Sequence, residues 1–224
     1  MRPSLTEARA LQERLRAEVG ERDALPEPLR LVAGADVSYD RGSPVLFAAA
    51  VLLDADTLDV VEVGAATARA SFPYLPGYLS FRELSPLLAA FAQLRRRHDL
   101  VLCDGHGRAH PRRFGLACHL GVALDLPAIG CAKSRLVGEH REPGARRGAH
   151  AALRDDGETI GEVLRTRDGV APVYVSVGHR VSLATARRLV LRFTPRYRLA
   201  EPIRAAHAEV NRLRRAAVPT LNGS

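Results

Sequence analysis

Long apolar runs and paired cysteines are what this 224-residue chain does without, and it has almost no lysine. No stretch is long enough to span a bilayer, and the N-terminus lacks the apolar core of a signal peptide. The expectation is a soluble cytoplasmic protein with no membrane partner. The three cysteines, Cys103, Cys118 and Cys131, form no Cys-x-x-Cys pair and sit among apolar neighbours. That excludes a disulfide framework and predicts reduced core thiols. A zinc set of Cys103, His106, His110 and Cys118 is formally available, but Cys103 falls inside an apolar strand pattern. No repeat and no linker divides the chain, and 46% hydrophobic residues suffice for a sizeable core. Residues 1–224 read as one domain.

Lysine is scarcer still. There are 33 basic residues against 25 acidic ones, a formal charge of +8, yet Lys133 is the only lysine. The excess favours an acidic partner, most often nucleic acid, although arginine spread by composition also makes an ordinary solvated surface. A chain that writes arginine elsewhere and lysine once either needs a compact point charge there or has it by chance.

Aromatic residues are 5% of the chain, but Phe72, Tyr74, Tyr78 and Phe81 crowd into residues 70–88. Pro73 and Pro76 bracket Tyr74, fix φ and remove donors, so the segment is neither helix nor central strand. A stiff turn presenting a ring remains, with Gly77 letting the chain reverse. It reads either as a wedge for a base stack or as a packed Pro-rich loop before a capped helix.

In chain order, Ser4-Leu-Thr-Glu7 is a capping box opening a helix over residues 4–19, with Leu5, Ala8, Leu11, Leu15 and Val19 on its apolar face. Strands are predicted over Leu29–Ser38, Val45–Leu53 and Thr57–Ala65, joined by turns into an antiparallel meander. A helical stripe follows the aromatic turn, from Leu84 to Leu94. Asp99–Cys103 and Pro127–Cys131 are further strands, with a helix over Arg112–Leu124 between them. Val137–Gly157 lacks periodicity and reads as a surface loop. Glu162–Leu164 and Val173–Val177 suggest a hairpin around Asp168-Gly169. Ser182 caps a helix toward Leu191, a last helix runs from Pro202 to about residue 215, and the tail from Val218 frays. The fold class is α/β, a mixed sheet flanked by helices.

Three carboxylates carry the chemistry. Asp36 interrupts one apolar strand and Asp104 ends another, and a buried carboxylate is costly unless paired or bound to a cation. Glu83 starts the intervening helix. Each has a plainer reading: Asp36 as a turn former, Asp104-Gly105 as a turn, Ser80-x-x-Glu83 as a capping box. Together they suit Mg²⁺ or Mn²⁺ better than zinc, and on a basic domain they predict metal-assisted phosphodiester hydrolysis.

The motifs, taken together, resemble the endonuclease V family. The matching pieces are Gly34-Ala-Asp-Val-Ser-Tyr39, Pro73-Tyr-Leu-Pro-Gly-Tyr-Leu-Ser-Phe-Arg-Glu83, Asp104-Gly-His-Gly-Arg-Ala-His-Pro-Arg-Arg-Phe-Gly-Leu-Ala117, Gly130-Cys-Ala-Lys-Ser-Arg-Leu136 and Val175-Ser-Val-Gly-His179. They occur in the family's order from Leu31 to about Leu191. The resemblance implies a ribonuclease H-like fold and an enzyme that cuts the second phosphodiester bond 3′ to hypoxanthine in DNA, using Mg²⁺ with Mn²⁺ able to substitute; a monomer is the expectation. An inosine-specific ribonuclease of the same family, or a binder of damaged nucleic acid that does not cut, are the alternatives.

The same resemblance implies roles. Asp36, Asp104 and Glu83 match the metal-binding acids, and His179 the histidine completing the site. Lys133 matches the phosphate contact and His110 a support of the site. Tyr74, with Pro73, Leu75 and Pro76, matches the wedge. Leu79, Gly105, Gly115 and Leu116 match the pocket for the flipped base, where glycines permit close approach of a base edge. His106 and the segment 138–157 receive no role.

Overall fold

The computed structural model describes residues 3–40 and 42–217. The tail from Val218 lies outside the described residues, as does Arg41 in the first predicted turn. Among the described residues, the strands are β1 (Leu31–Ser38), β2 (Val45–Asp54), β3 (Val60–Arg69), β4 (Leu100–Cys103), β5 (Ala128–Ala132), β6 (His150–Asp155), β7 (Glu158–Leu164) and β8 (Val173–His179). They form one mixed sheet in the order β3-β2-β1-β4-β5-β8-β7-β6. The helices are α1 (Leu5–Leu15), α2 (Leu79–Phe91), α3 (Leu116–Leu124), α4 (Leu183–Arg192) and α5 (Glu201–Ala217).

β2, β4 and β5 are buried almost throughout, as strands covered on both faces must be, so they read in the sequence as apolar runs. Alternation divides the core. Ala33, Ala35, Leu52 and Val101 pack with Leu87, Phe91 and Leu120 of α2 and α3. Val32, Val51, Leu100 and Leu102 pack with Val190 of α4 and Ile203, Ala206 and Val210 of α5 on the other face. Gly34 lies on this second face, where a Cβ would stand 1.8 Å from the Pro202 carbonyl oxygen, so β1 and α5 touch backbone to backbone.

Several boundaries depart from expectation for local reasons. α1 keeps its capping box, with Ser4 Oγ accepting the Glu7 N–H at 3.2 Å, but it ends at Leu15 and passes into a 3₁₀ turn over Arg16–Glu18. Its buried residues are Ala8 and Gln12, whereas Leu5 is exposed. The Asp54 carboxylate accepts the N–H groups of Asp56 and Thr57, both at 2.9 Å, and this turn delays β3 to Val60. α3 starts at Leu116 because Arg113 takes φ +55° and Gly115 is extended, which no helix accommodates. α5 runs from Glu201 to Ala217, slightly longer at both ends than expected.

The segment read as a loop over Val137–Gly157 contains β6, an edge strand with only Leu153 fully buried. β6 pairs with β7 through a two-residue turn, Asp156-Gly157, with both φ values positive (51° and 79°). The predicted β7–β8 hairpin is present, Glu162 opposite Val175. All three cysteines are buried, and none is in a disulfide. No helix among the described residues is long and apolar enough to cross a membrane.

Candidate functional site

β1 and β4 are parallel neighbours, so their C-terminal ends reach the same edge of the sheet. Ala35 pairs with Cys103, which sets Asp36 and Asp104 side by side one residue further on. Alternation puts Asp36 on the face of Val32 and Gly34, beneath α5, and there His207 Nδ1 meets Asp36 Oδ2 at 2.8 Å. One ligand atom each from Asp36, Asp104 and His207 lie within 4.8 Å of one another. Lys133, just beyond β5, donates from Nζ to Asp104 Oδ2.

Burial raises the Asp36 carboxyl to about 6, and the negative charge of Asp104 adds to the effect while the His207 hydrogen bond opposes it. Glu83 reaches the same edge from α2. Burial, and then the charges of Asp36 and Asp104, push its carboxyl well above the ordinary range. Glu83 feels both aspartates without joining the 4.8 Å group. Its helix is not opened by the expected capping box: α2 begins at Leu79, so Ser80 lies inside its first turn, and Ser80 Oγ is buried with no hydrogen-bond partner among the described residues. Hard oxygens from acids that repel one another, with one imidazole, form a donor set that suits a divalent cation such as Mg²⁺ or Mn²⁺.

His179 is not part of this group. β8 runs antiparallel to β5, and His179 pairs with Ala128 at the start of β5, so it sits at the sheet edge opposite Asp104. There Gly20 donates its N–H to His179 Nδ1 at 3.2 Å, and burial lowers the imidazole pKa. The histidine at the acids is instead His207. Its signal was a lone imidazole in an amphipathic helix, beside the buried stripe of Ile203, Ala206 and Val210.

The aromatic turn hangs between two anchored carbonyls. Arg82 Nη1 donates to Phe72 O at 2.9 Å, and the Arg82 guanidinium lies 4.8 Å from the Tyr39 ring centroid. At the other end Gly77, with φ +78°, accepts from Gln12 Nε2 at 3.1 Å, from His110 Nε2 at 2.9 Å and from Arg112 Nη2. His110 Nδ1 accepts the Arg112 N–H at 3.1 Å, which leaves Nε2 to carry the proton. Burial lowers His110 to about 4, so it is neutral at physiological pH. Between the anchors Tyr74 is 60% exposed.

Behind Tyr74 lies a cavity of about 310 Å³ lined by Leu75, Leu79, Gly105, Gly115, Leu116 and Lys133, among others. Pro76, Asp104 and His110 also reach it, whereas Pro73 faces a second cavity of about 730 Å³ beside Tyr39 and Arg82. The glycine at 115 serves close approach, since a Cβ there would stand 2.3 Å from His106 O. His106 borders the smaller cavity, and burial lowers its pKa to about 4.

Carboxylates gathered at one edge of a mixed sheet, with a lysine beside them and a base-sized cavity adjoining, place this molecule among the nucleases. The chain belongs to the endonuclease V family, whose model matches residues 13–208. The endonuclease V of a Roseiflexus species is 54% identical over 205 residues, covering 92% of this chain and 91% of that protein. The crystal structure of endonuclease V from Streptomyces avermitilis superposes with a TM-score of 0.92 at 47% identity, covering 96% of each chain. A Ciona intestinalis endonuclease V, solved in complex with a 24mer DNA containing an inosine followed by a ribo-adenosine, superposes with a TM-score of 0.83 at 27% identity, covering 95% of this chain and 98% of that one. The mixed sheet flanked by helices is thus the architecture of the family.

Proposed function

We propose that the protein is a metal-dependent endonuclease that recognises hypoxanthine in DNA and hydrolyses the second phosphodiester bond on its 3′ side, leaving a nick for repair. The observation that carries this reading is adjacency: the Asp36, Asp104 and His207 cluster and the cavity under Tyr74 share one sheet edge, with Asp104 and Lys133 bordering both. Asp36, Asp104 and His207 would hold a Mg²⁺ or Mn²⁺ ion, with Glu83 acting on it from α2. Such an ion supplies positive charge at the phosphate and a more acidic water.

The chain's own groups do the rest. Lys133 is a compact cation that reaches a phosphate oxygen when a strand lies across the edge. Tyr74 fills the gap left by the extruded base. The cavity takes the purine, and a site that pairs hypoxanthine O6 and N1–H rejects adenine by leaving polar groups unsatisfied.

The Ciona protein's mixed inosine and ribo-adenosine ligand favours a second reading, an enzyme that prefers inosine in RNA. One gel separates the two. End-labelled DNA and RNA oligonucleotides carrying a single inosine are incubated with Mg²⁺, Mn²⁺ or chelator, and the product ends are sized. The expected result is one nick in DNA, at the second bond, that chelator abolishes. Cleavage of RNA alone would favour the second reading, and cleavage that survives chelation would overturn the metal role.

A further inference from the structure

The polar side chain of Gln12 is fully buried on the packed face of α1, where helix spacing calls for an apolar residue. Both of its amide donors are used and its oxygen is paired. Nε2 donates to Gly77 O at 3.1 Å and to Phe114 O at 3.2 Å, and Oε1 accepts from Arg112 Nε at 2.6 Å. Gly77 closes the Tyr74 turn, and Phe114 immediately precedes the cavity glycine Gly115. Arg112 also donates to Gly77 O, and its guanidinium lies 4.2 Å from the Tyr78 ring centroid. Gln12 therefore joins, through one planar group, the foot of the turn and the wall of the cavity.

We infer that Gln12 is a positioning residue for strand opening: it fixes the height of Tyr74 above the cavity, so that α1 works as a brace for the wedge. The inference rests on the proposed lesion-cutting activity. The cavity wall has backbone ties of its own, Gly115 N–H to Gly107 O and Ala117 N–H to His106 O, both at 3.0 Å. Loss of the amide takes from Gly77 O one of its three donors and takes from Arg112, a second of the three, the Oε1 that orients it, so of the ties at the foot of the turn only the His110 one is undisturbed. Phe114 O loses its side-chain donor as well, and a turn held less firmly at Gly77 lets Tyr74 ride less steadily over the cavity.

A wedge matters only where there is a stack to open, which makes the duplex the discriminating substrate. The test compares Gln12→Met, close in size but without donors, with the unmodified protein on the same inosine oligonucleotide, single-stranded and paired, in Mg²⁺. Nicking of the duplex should fall about tenfold, through KM rather than kcat, while nicking of the single strand holds. Gln12→Glu, which keeps the Arg112 pairing but loses the donors to Gly77 O and Phe114 O, should show the same split in smaller measure and serves if the Met variant folds poorly. A general loss of stability would slow both substrates alike, and that outcome overturns the brace, as would two unchanged rates. An unmodified protein that nicks neither substrate overturns the brace and the nuclease reading together.

Discussion

Lys133 and Asp104 leave the ends of neighbouring parallel strands and meet, Nζ to Oδ2, in front of the acid cluster. A cation at this point is pre-placed for a phosphate oxygen without any rearrangement of the sheet. Lys133→Met should lower the rate of nicking by roughly a hundredfold or more, the scale seen when one electrostatic donor is removed from a transition state. Lys133→Arg should recover part of that loss, because it returns the charge in a broader shape. Single-turnover rates on an inosine duplex decide it, and a rate unaffected by Met would remove Lys133 from the reaction.

Asp104→Asn keeps the shape of the strand end and removes a charge that the proposed mechanism uses to hold a cation. It should bind inosine DNA with affinity within a few-fold of the parent and show no Mg²⁺-dependent nicking. Anisotropy titration beside a nicking assay gives both quantities. Persistent nicking would show that Asp104 is dispensable.

Two histidines give opposite expectations. His207→Ala should abolish nicking, since His207 sits against Asp36, while His179→Ala should cost stability and leave the chemistry of the folded fraction intact. Thermal melts and rates measured well below the melting temperature separate the two. Nicking that depends on His179 and ignores His207 would reverse the present placement.

Tyr74 is exposed enough that its removal should hardly touch the fold. Tyr74→Ala is expected to weaken binding to an inosine duplex by about 1–3 kcal/mol, the range for a ring stacked on a base, with the melting temperature nearly unchanged. Equal binding by variant and parent would leave the turn without a role in recognition.

Acid should destabilise the protein through its buried imidazoles. Burial lowers His119 to about 4, and its ring sits 5.6 Å from Phe81 and 5.1 Å from Phe114, centroid to centroid. Between about pH 6.5 and 4 the unfolded chain takes up this proton and the folded one does not, so stability falls as pH drops through that window. His119→Phe keeps the ring contacts and removes the titration, and should cut the acid loss by about 1–3 kcal/mol. Asp36, raised to about 6, acts with the opposite sign between about 4 and 6, so melts must be compared variant against parent at each pH. Parallel curves would show that His119 does not titrate on unfolding.

Much of the sheet is legible in the sequence because its central strands are buried on both faces. Their apolar runs fall where β1, β2, β4 and β5 stand, and the two aspartates that break the pattern are the ones brought together. β6 escapes for the converse reason: with one buried residue, Leu153, it carries no period to read. The Asp156-Gly157 pair was its only local sign. The start of α3 is hidden because the left-handed conformation at Arg113 is held by partners distant in sequence, Asp155 and Glu158. His179 misleads because a strand's pattern says nothing about its direction, and direction decides which edge its last residue reaches. His207 and Gln12 owe their roles to helices that dock from outside the sheet, and no local spacing encodes such docking.

The bare backbone at position 34 has an effect two residues along the strand. Because nothing projects from Gly34, α5 settles against β1 closely enough for an imidazole one and a half turns past Pro202 to touch Asp36. A single methyl group added there would lift the whole helix like a shim under a hinge, and the gap would open between the imidazole and the carboxylate of the proposed ion site. The proposed metal site thus depends on a residue that offers it no ligand at all.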